Sequence, residues 1–237
     1  MIWETFATYD TLSERAAELL LAAIRADPRL VLGLPTGRTP IGMYARIVAV
    51  CAATYHCFRE VTTFNLDEYA GIPPDHPGSY CAFMRRHLFD HVDLDPARAH
   101  LPRGTAADLD AECLRYEAEI LAAGGLGLTL LGLGRNGHIG FNEPGTAFTS
   151  RTRVVELTHS TRAANAALFH DGRVPTHAVT MGIGTILASR SIVLLAAGEG
   201  KRRAIERLQS GEIGESFPAS ALWLREDARV LIARDAS

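Results

Sequence analysis

Six short runs of Val, Ile, Leu and Thr punctuate the chain, at residues 29–34, 61–65, 126–133, 178–181, 191–197 and 228–233, each closed by Gly, Pro or a polar turn. Apolar runs of this length without polar alternation predict strands buried on both faces. Between them the apolar positions recur at helical spacing, which predicts helices over residues 11–26, 40–52, 79–89, 109–122, 163–169 and 201–208. The first helix carries a Thr-x-x-Glu-like start at Thr11 and precedes the first strand. Strand and helix in alternation imply βαβ units. The expected fold is therefore α/β: a single-domain, mainly parallel sheet with helices on both faces, a Rossmann-like three-layer sandwich. Sheets of this kind bind ligands outside the carboxyl ends of their strands, so the turns that follow the strands are where chemistry is expected.

Composition narrows the class. At 237 residues and 47% hydrophobic content the chain suffices for one sizeable core, with residues 1–237 read as one domain. A formal charge of −3 offers no polybasic face, which argues against nucleic acid or an anionic membrane as partner but leaves room for a small anion. Cys51, Cys57, Cys81 and Cys113 are scattered without metal-ligand spacing and read as reduced thiols. Glu4, Asp10 and Glu14 interrupt any leader-like start, and no apolar run spans a bilayer, so a soluble, cytoplasmic protein is expected.

Four constellations follow strand ends. In Pro35-Thr36-Gly37-Arg38-Thr39-Pro40, Thr39 is a plausible helix N-cap and Pro40 a good first helical residue. Gly37 lets the backbone turn sharply. Free N–H groups and the positive helix end suit a phosphate there, although the same pattern also serves as a plain strand-to-helix connection. Asn65-Leu66-Asp67-Glu68-Tyr69 places two carboxylates in an extended segment, where neighbours point opposite ways, so one of them faces the site. Partial burial would raise its pKa and make it a general base; the residues alone leave open which one. The densest motif is Gly132-Leu133-Gly134-Arg135-Asn136-Gly137-His138-Ile139-Gly140-Phe141-Asn142-Glu143-Pro144. It sets one His among glycines with a Glu five positions on that can fix its tautomer. The pair lacks zinc-ligand spacing, so no metal is expected. In Gly198-Glu199-Gly200-Lys201, finally, a Lys at a helix start opposes the macrodipole unless it holds an anion.

Taken together these segments resemble the glucosamine-6-phosphate deaminase/isomerase family. The resemblance rests on residues 137–144 and 65–69, His76-Pro77-Gly78-Ser79-Tyr80, Ser150-Arg151-Thr152-Arg153, Thr161-Arg162, residues 178–182 and Phe217-Pro218-Ala219-Ser220. It covers nearly the whole chain. It implies conversion of glucosamine 6-phosphate to fructose 6-phosphate and ammonium. Asp67 would move a proton from C2 to C1, His138 would open the pyranose ring, and Glu143 would orient and charge-balance that imidazole, beside Asn136. Thr36, Gly37, Arg38, Thr39 and Lys201 would hold the phosphate. No cofactor or metal is implied. The partner is a small amino sugar phosphate rather than nucleic acid or membrane.

Three departures from the family pattern matter. Asn136 stands where some members have Asp, which makes Glu143 the expected carboxylate partner of His138 and leaves the His pKa less elevated. Ala167 stands where members commonly carry a phosphate-binding Arg, and Arg38 is expected to supply that guanidinium instead. Val155 replaces a basic residue of the larger, allosteric relatives, which implies a short form without that effector site. A 6-phosphogluconolactonase-like hydrolase and a non-catalytic sugar-phosphate sensor are the competing readings. Asp67 is hard to explain under the first, and no DNA-binding helices support the second. The residues leave open oligomeric state, a homo-oligomer included, and the sugar's configuration at C4.

Overall fold

The computed structural model describes residues 1–54, 57–166, 169 and 174–234. A strand absent from the hydrophobic pattern comes first: β1 (Ile2–Phe6) precedes α1 (Tyr9–Ala26). Then follow β2 (Val31–Leu34), α2 (Ile41–Thr54), β3 (Thr62–Asn65), β4 (Asp67–Tyr69), α3 (Tyr80–His87), β5 (Ala99–His100), α4 (Leu109–Ala122) and β6 (Leu128–Gly132). The remainder comprises β7 (Arg153–Glu156), α5 (His159–Asn165), β8 (His177–Thr180), α6 (Ile183–Leu187), β9 (Ser191–Ala196), α7 (Arg202–Gln209) and β10 (Arg229–Ala233).

Seven strands form one sheet in the order β1-β10-β9-β6-β2-β3-β5, and every pairing in it is parallel. From β2 the chain steps outward through β3 to β5. It then returns to the other side of β2 and proceeds through β6, β9 and β10. The direction reverses between β2 and β6, and that reversal opens a crevice at the carboxyl ends of these two strands. The sheet is buried on both faces, as the unbroken apolar runs predict. Leu32 and Leu34 of β2, Leu130 of β6 and Leu195 of β9 pack with α1, α2 and Met84 of α3. Val31, Leu131 and Leu194 point the other way, onto Tyr116 and Ile120 of α4, α6 and α7.

A second sheet, of three antiparallel strands in the order β4-β8-β7, was not anticipated. The chain enters it straight from β3: the Leu66 N–H donates to Leu34 O (3.1 Å), and Leu66 O accepts from the Met181 N–H (2.6 Å). The small sheet is thereby fastened to the carboxyl ends of β2 and β3. A third apolar cluster beneath it joins Tyr69, Tyr80, Phe141, Leu157, Phe169 and Ala178.

Several helix ends differ from expectation. The cap of α1 is Thr8, whose hydroxyl accepts from the Thr11 N–H (3.2 Å) while the Thr11 hydroxyl accepts from the Thr8 N–H (3.4 Å), so Thr11 lies inside the first turn. The ladder of α2 starts from Pro40 O, which accepts from the Tyr44 N–H (2.9 Å), leaving Thr39 outside the helix rather than at its cap. The helix expected over 163–169 runs instead from His159 to Asn165, because Thr158 caps it early through the Thr161 N–H (3.2 Å). Ala167 lies outside the described residues. Among the described residues, no helix is long and apolar enough to cross a membrane.

Candidate active site

The turn after β2 is built with its carbonyls tied down and its N–H groups free. The Tyr44 hydroxyl donates to Pro35 O (2.6 Å), the Tyr9 hydroxyl donates to Thr39 O (3.0 Å), and the Ile41 N–H donates to Arg38 O (3.3 Å). Gly37 adopts φ 98°, a left-handed conformation open to glycine at little cost. The backbone N–H groups of Thr36, Gly37, Arg38 and Thr39 have no partner among the described residues. Arg38 itself is exposed and makes no ion pair among the described residues. Four free donors over a helix start form a cradle suited to a phosphate.

Beside it, β4 settles the choice between the adjacent carboxylates. Glu68 turns away from the crevice and accepts three backbone N–H groups, from Tyr69 (2.8 Å), Tyr80 (2.9 Å) and Cys81 (2.8 Å), two of them at the start of α3. It is a structural cap. Asp67, opposite Thr180 in the small sheet, is 5% exposed, and its carboxylate makes no hydrogen bond among the described residues. Burial, with the Glu68 charge adding to it, pushes the Asp67 carboxyl up to about 8. Burial also raises Glu68, to about 7, against the pull of its three N–H donors. An Ala side chain at Gly140, where φ is 56°, would come within 3.3 Å of Asp67 Oδ2 and 3.1 Å of Thr180 Oγ1. The loop after β6 therefore passes directly over the carboxylate.

That loop carries His138. Its imidazole lies so close to Gly134 that a Cβ there would sit 2.4 Å from three ring atoms. Gly137, at φ 87°, is backed by the Phe217 ring, and its carbonyl accepts from the Ala219 N–H (2.9 Å), which accounts for the Phe-Pro-Ala-Ser segment. The imidazole Nδ1 meets Asn136 Oδ1 at 2.7 Å. Asn136 Nδ2 donates to Glu143 Oε2 (2.6 Å), and the Thr161 hydroxyl donates to Glu143 Oε1 (2.6 Å). An ionised carboxylate only accepts, so it orients the Asn136 amide with its nitrogen outward and its oxygen toward the ring. Nδ1 must then carry the proton, and Nε2 is left bare to act as base. Glu143 is thus the carboxylate behind His138, but it acts through Asn136; its Oε1 stays 3.9 Å from Nδ1. Burial lowers the His138 pKa, Glu143 opposes that, and the nearby Lys201 charge adds to it.

Lys201 sits at the start of α7, after Gly198 at φ 97°. Its pKa is lowered by burial and by Arg135. The Arg135 guanidinium lies over Gly200, where a Cβ would meet its Nε at 3.0 Å. Arg135, adjacent to Asn136 in the motif, was overlooked in the residue pattern, as was Thr161, whose contact with Glu143 spans 18 positions. Among the described residues no cluster of His, Cys, Asp or Glu is arranged to hold a metal, and the four cysteines are free thiols.

A parallel α/β sheet with a buried carboxylate, a pre-set imidazole and an N–H cradle at its switch point defines an acid/base enzyme for a small anionic substrate. The model of the glucosamine-6-phosphate isomerases/6-phosphogluconolactonase family matches residues 4–232, and the chain belongs to that family. It is 53% identical to a glucosamine-6-phosphate deaminase of Lysinibacillus sphaericus, over 98% of each chain. It is 49% identical to glucosamine-6-phosphate deaminase 1 of Bacillus subtilis, over 97% of this chain and 96% of that one. A solved structure described as a monomeric glucosamine-6-phosphate deaminase superposes with a TM-score of 0.97 at 48% identity, covering 99% of this chain and 98% of that chain. A 6-phosphogluconolactonase from Trypanosoma brucei shares the fold, with a TM-score of 0.77 at 21% identity over 99% of this chain and 96% of that chain.

Proposed function

We propose that the chain isomerises and deaminates glucosamine 6-phosphate, giving fructose 6-phosphate and ammonium, as a cytoplasmic enzyme of amino-sugar breakdown. The observation that carries the reading is Asp67: a buried carboxylate without a hydrogen-bond partner among the described residues, facing the loop that bears His138. A structural carboxylate in that position would be paired, as Glu68 is.

The phosphate enters the cradle of Thr36, Gly37, Arg38 and Thr39, with Lys201 as its counter-charge. Anchoring at that end places C1 and C2 of the sugar near the two acid/base groups. His138, with Nε2 bare, takes the proton from the O1 hydroxyl and returns one to O5 as the ring opens. Asp67 removes the proton from C2 of the open aldehyde while the substrate's ammonium gives up one proton and O1 gains one, leaving an enolamine; Asp67 then delivers its proton to C1, giving the protonated ketimine. One water adds at C2 and ammonia leaves, so that substrate plus water balances fructose 6-phosphate plus ammonium. A rise of the Asp67 pKa toward neutrality matches it to a proton that must be taken up and given back. The substrate's own ammonium group, brought beside Asp67, favours the carboxylate form at the start of the cycle.

Steady-state release of ammonium from glucosamine 6-phosphate, coupled to detection of fructose 6-phosphate, tests the assignment. Stoichiometric formation of the two supports it. A folded protein that produces neither, yet hydrolyses 6-phosphogluconolactone, would overturn it in favour of the lactonase branch.

A further inference from the structure

Glu143 has two oxygens with different partners. Oε2 accepts from Asn136 and so serves the relay to His138. Oε1 is the oxygen that lies 3.9 Å from the imidazole Nδ1, and it is this oxygen that takes the Thr161 hydroxyl at 2.6 Å. Thr161 belongs to the first turn of α5. Its hydroxyl accepts in turn from the Thr158 hydroxyl (3.0 Å), and Thr158 is the N-cap of the same helix. The hydrogen bonds therefore run in one direction, from the cap of α5 through Thr161 into Glu143. They meet there with the bond that arrives from Asn136.

We infer that Thr161 is a positioning residue that holds Glu143 Oε1 away from His138, so that the carboxylate reaches the imidazole only through the neutral Asn136 amide. The inference rests on the proposed role of His138 as the ring-opening base. Without the Thr161 hydroxyl, Oε1 keeps its full acceptor capacity, and the imidazole Nδ1–H stands 3.9 Å away. A small rotation of the Glu143 side chain replaces the relay by a direct carboxylate–imidazolium pair. The charged groups acting on the ring are Glu143, which favours the cation, and Lys201 of the α7 start, which opposes it. Bringing Glu143 into contact tips that balance toward the cation. An imidazolium has no bare Nε2, so ring opening slows although every group that touches the substrate is still present. Formation of the first turn of α5 and the protonation state of His138 are linked through this one hydroxyl.

Thr161→Val removes the hydroxyl while keeping the shape of the side chain and the backbone N–H that Thr158 caps; Thr161→Ser restores the hydroxyl. The direct readout is the titration of the His138 imidazole by NMR in the substrate-free protein, its signals identified by their loss in His138→Asn. Thr161→Val is expected to raise that pKa by about one pH unit, the effect of bringing a carboxylate to contact, and Thr161→Ser to return it. In steady state at a pH below both titrations, Thr161→Val is expected to lower kcat about tenfold with KM little changed, the gap closing as pH rises, and Thr161→Ser to recover most of the loss. An unmoved His138 titration in a folded Thr161→Val protein overturns the inference, as does a Ser variant that behaves like Val. A shifted titration in a protein without deaminase activity would uphold the positioning role and defeat the functional reading instead.

Discussion

Replacing Asp67 by Asn separates the cost of the buried carboxylate from its use. In the folded protein burial raises this group from 3.8 to about 8, so between those values the folded state holds a proton that the unfolded chain has released. Stability contributed at this position is therefore present below about pH 4 and lost as pH rises through about 8. A tenfold change in proton affinity is worth about 1.4 kcal/mol. The full rise corresponds to about 6 kcal/mol, of which about 4 kcal/mol falls above pH 5, and relaxation around buried charges makes about half of that a working magnitude. Asn carries no charge at any of these pH values. The unfolding free energy of Asp67→Asn, measured by urea denaturation, should gain about 2–4 kcal/mol on the wild type between pH 5 and pH 9. Glu68 remains in both proteins. Its release from the Asp67 charge acts in the same direction. The variant should lose at least a hundredfold in kcat, the usual contribution of a positioned base. Parallel stability curves for the two proteins would show instead that Asp67 ionises freely in the folded state.

Three further outcomes follow from the geometry. Glu143→Gln offers one acceptor oxygen to two donors, Asn136 Nδ2 and the Thr161 hydroxyl; stranding one of them costs about 1–3 kcal/mol, so kcat should fall about tenfold or more with an altered pH profile, and an unchanged profile would contradict the relay. Gly134→Ala drives a methyl group to within 2.4 Å of the His138 ring; kcat should fall at least tenfold with the circular dichroism spectrum retained, and full activity would mean that the ring does not work from this position. Arg38→Ala removes an exposed guanidinium beside the phosphate cradle; loss of a charge-assisted contact of about 1.5–3 kcal/mol should raise KM about tenfold or more, and an unchanged KM would remove Arg38 from the site.

The central strands were legible because β2, β3, β6, β9 and β10 are buried on both faces, where unbroken apolar runs are diagnostic. β1 was not, because this edge strand mixes exposed and half-buried residues, among them Glu4. β4, β5 and β7 are short, polar or both; they exist through their partners, as when Asp67 and Arg153 both pair with Thr180. The site was legible where its parts are neighbours in sequence. Asn136, His138 and Glu143 share one glycine-rich loop, and the extended geometry of residues 67–68 foretold that the two carboxylates would diverge. Sequence spacing could not show that Asn136 stands between His138 and Glu143, since the expected contact between the two depended on a side-chain orientation set by Thr161. Nor could it show the guanidinium of Arg135 over Gly200, which needs β6 and β9 side by side.

In the proposed mechanism Asp67 carries the proton from C2 to C1. Turnover of glucosamine 6-phosphate deuterated at C2, with the product analysed by NMR or mass spectrometry, follows that transfer when wild type and Asp67→Asn are compared. A buried carboxylate that takes up and returns the same proton predicts that part of the deuterium appears at C1 of fructose 6-phosphate, and that the variant forms almost no product. Undiminished turnover by Asp67→Asn, with the same label at C1, would mean that another group carries this proton.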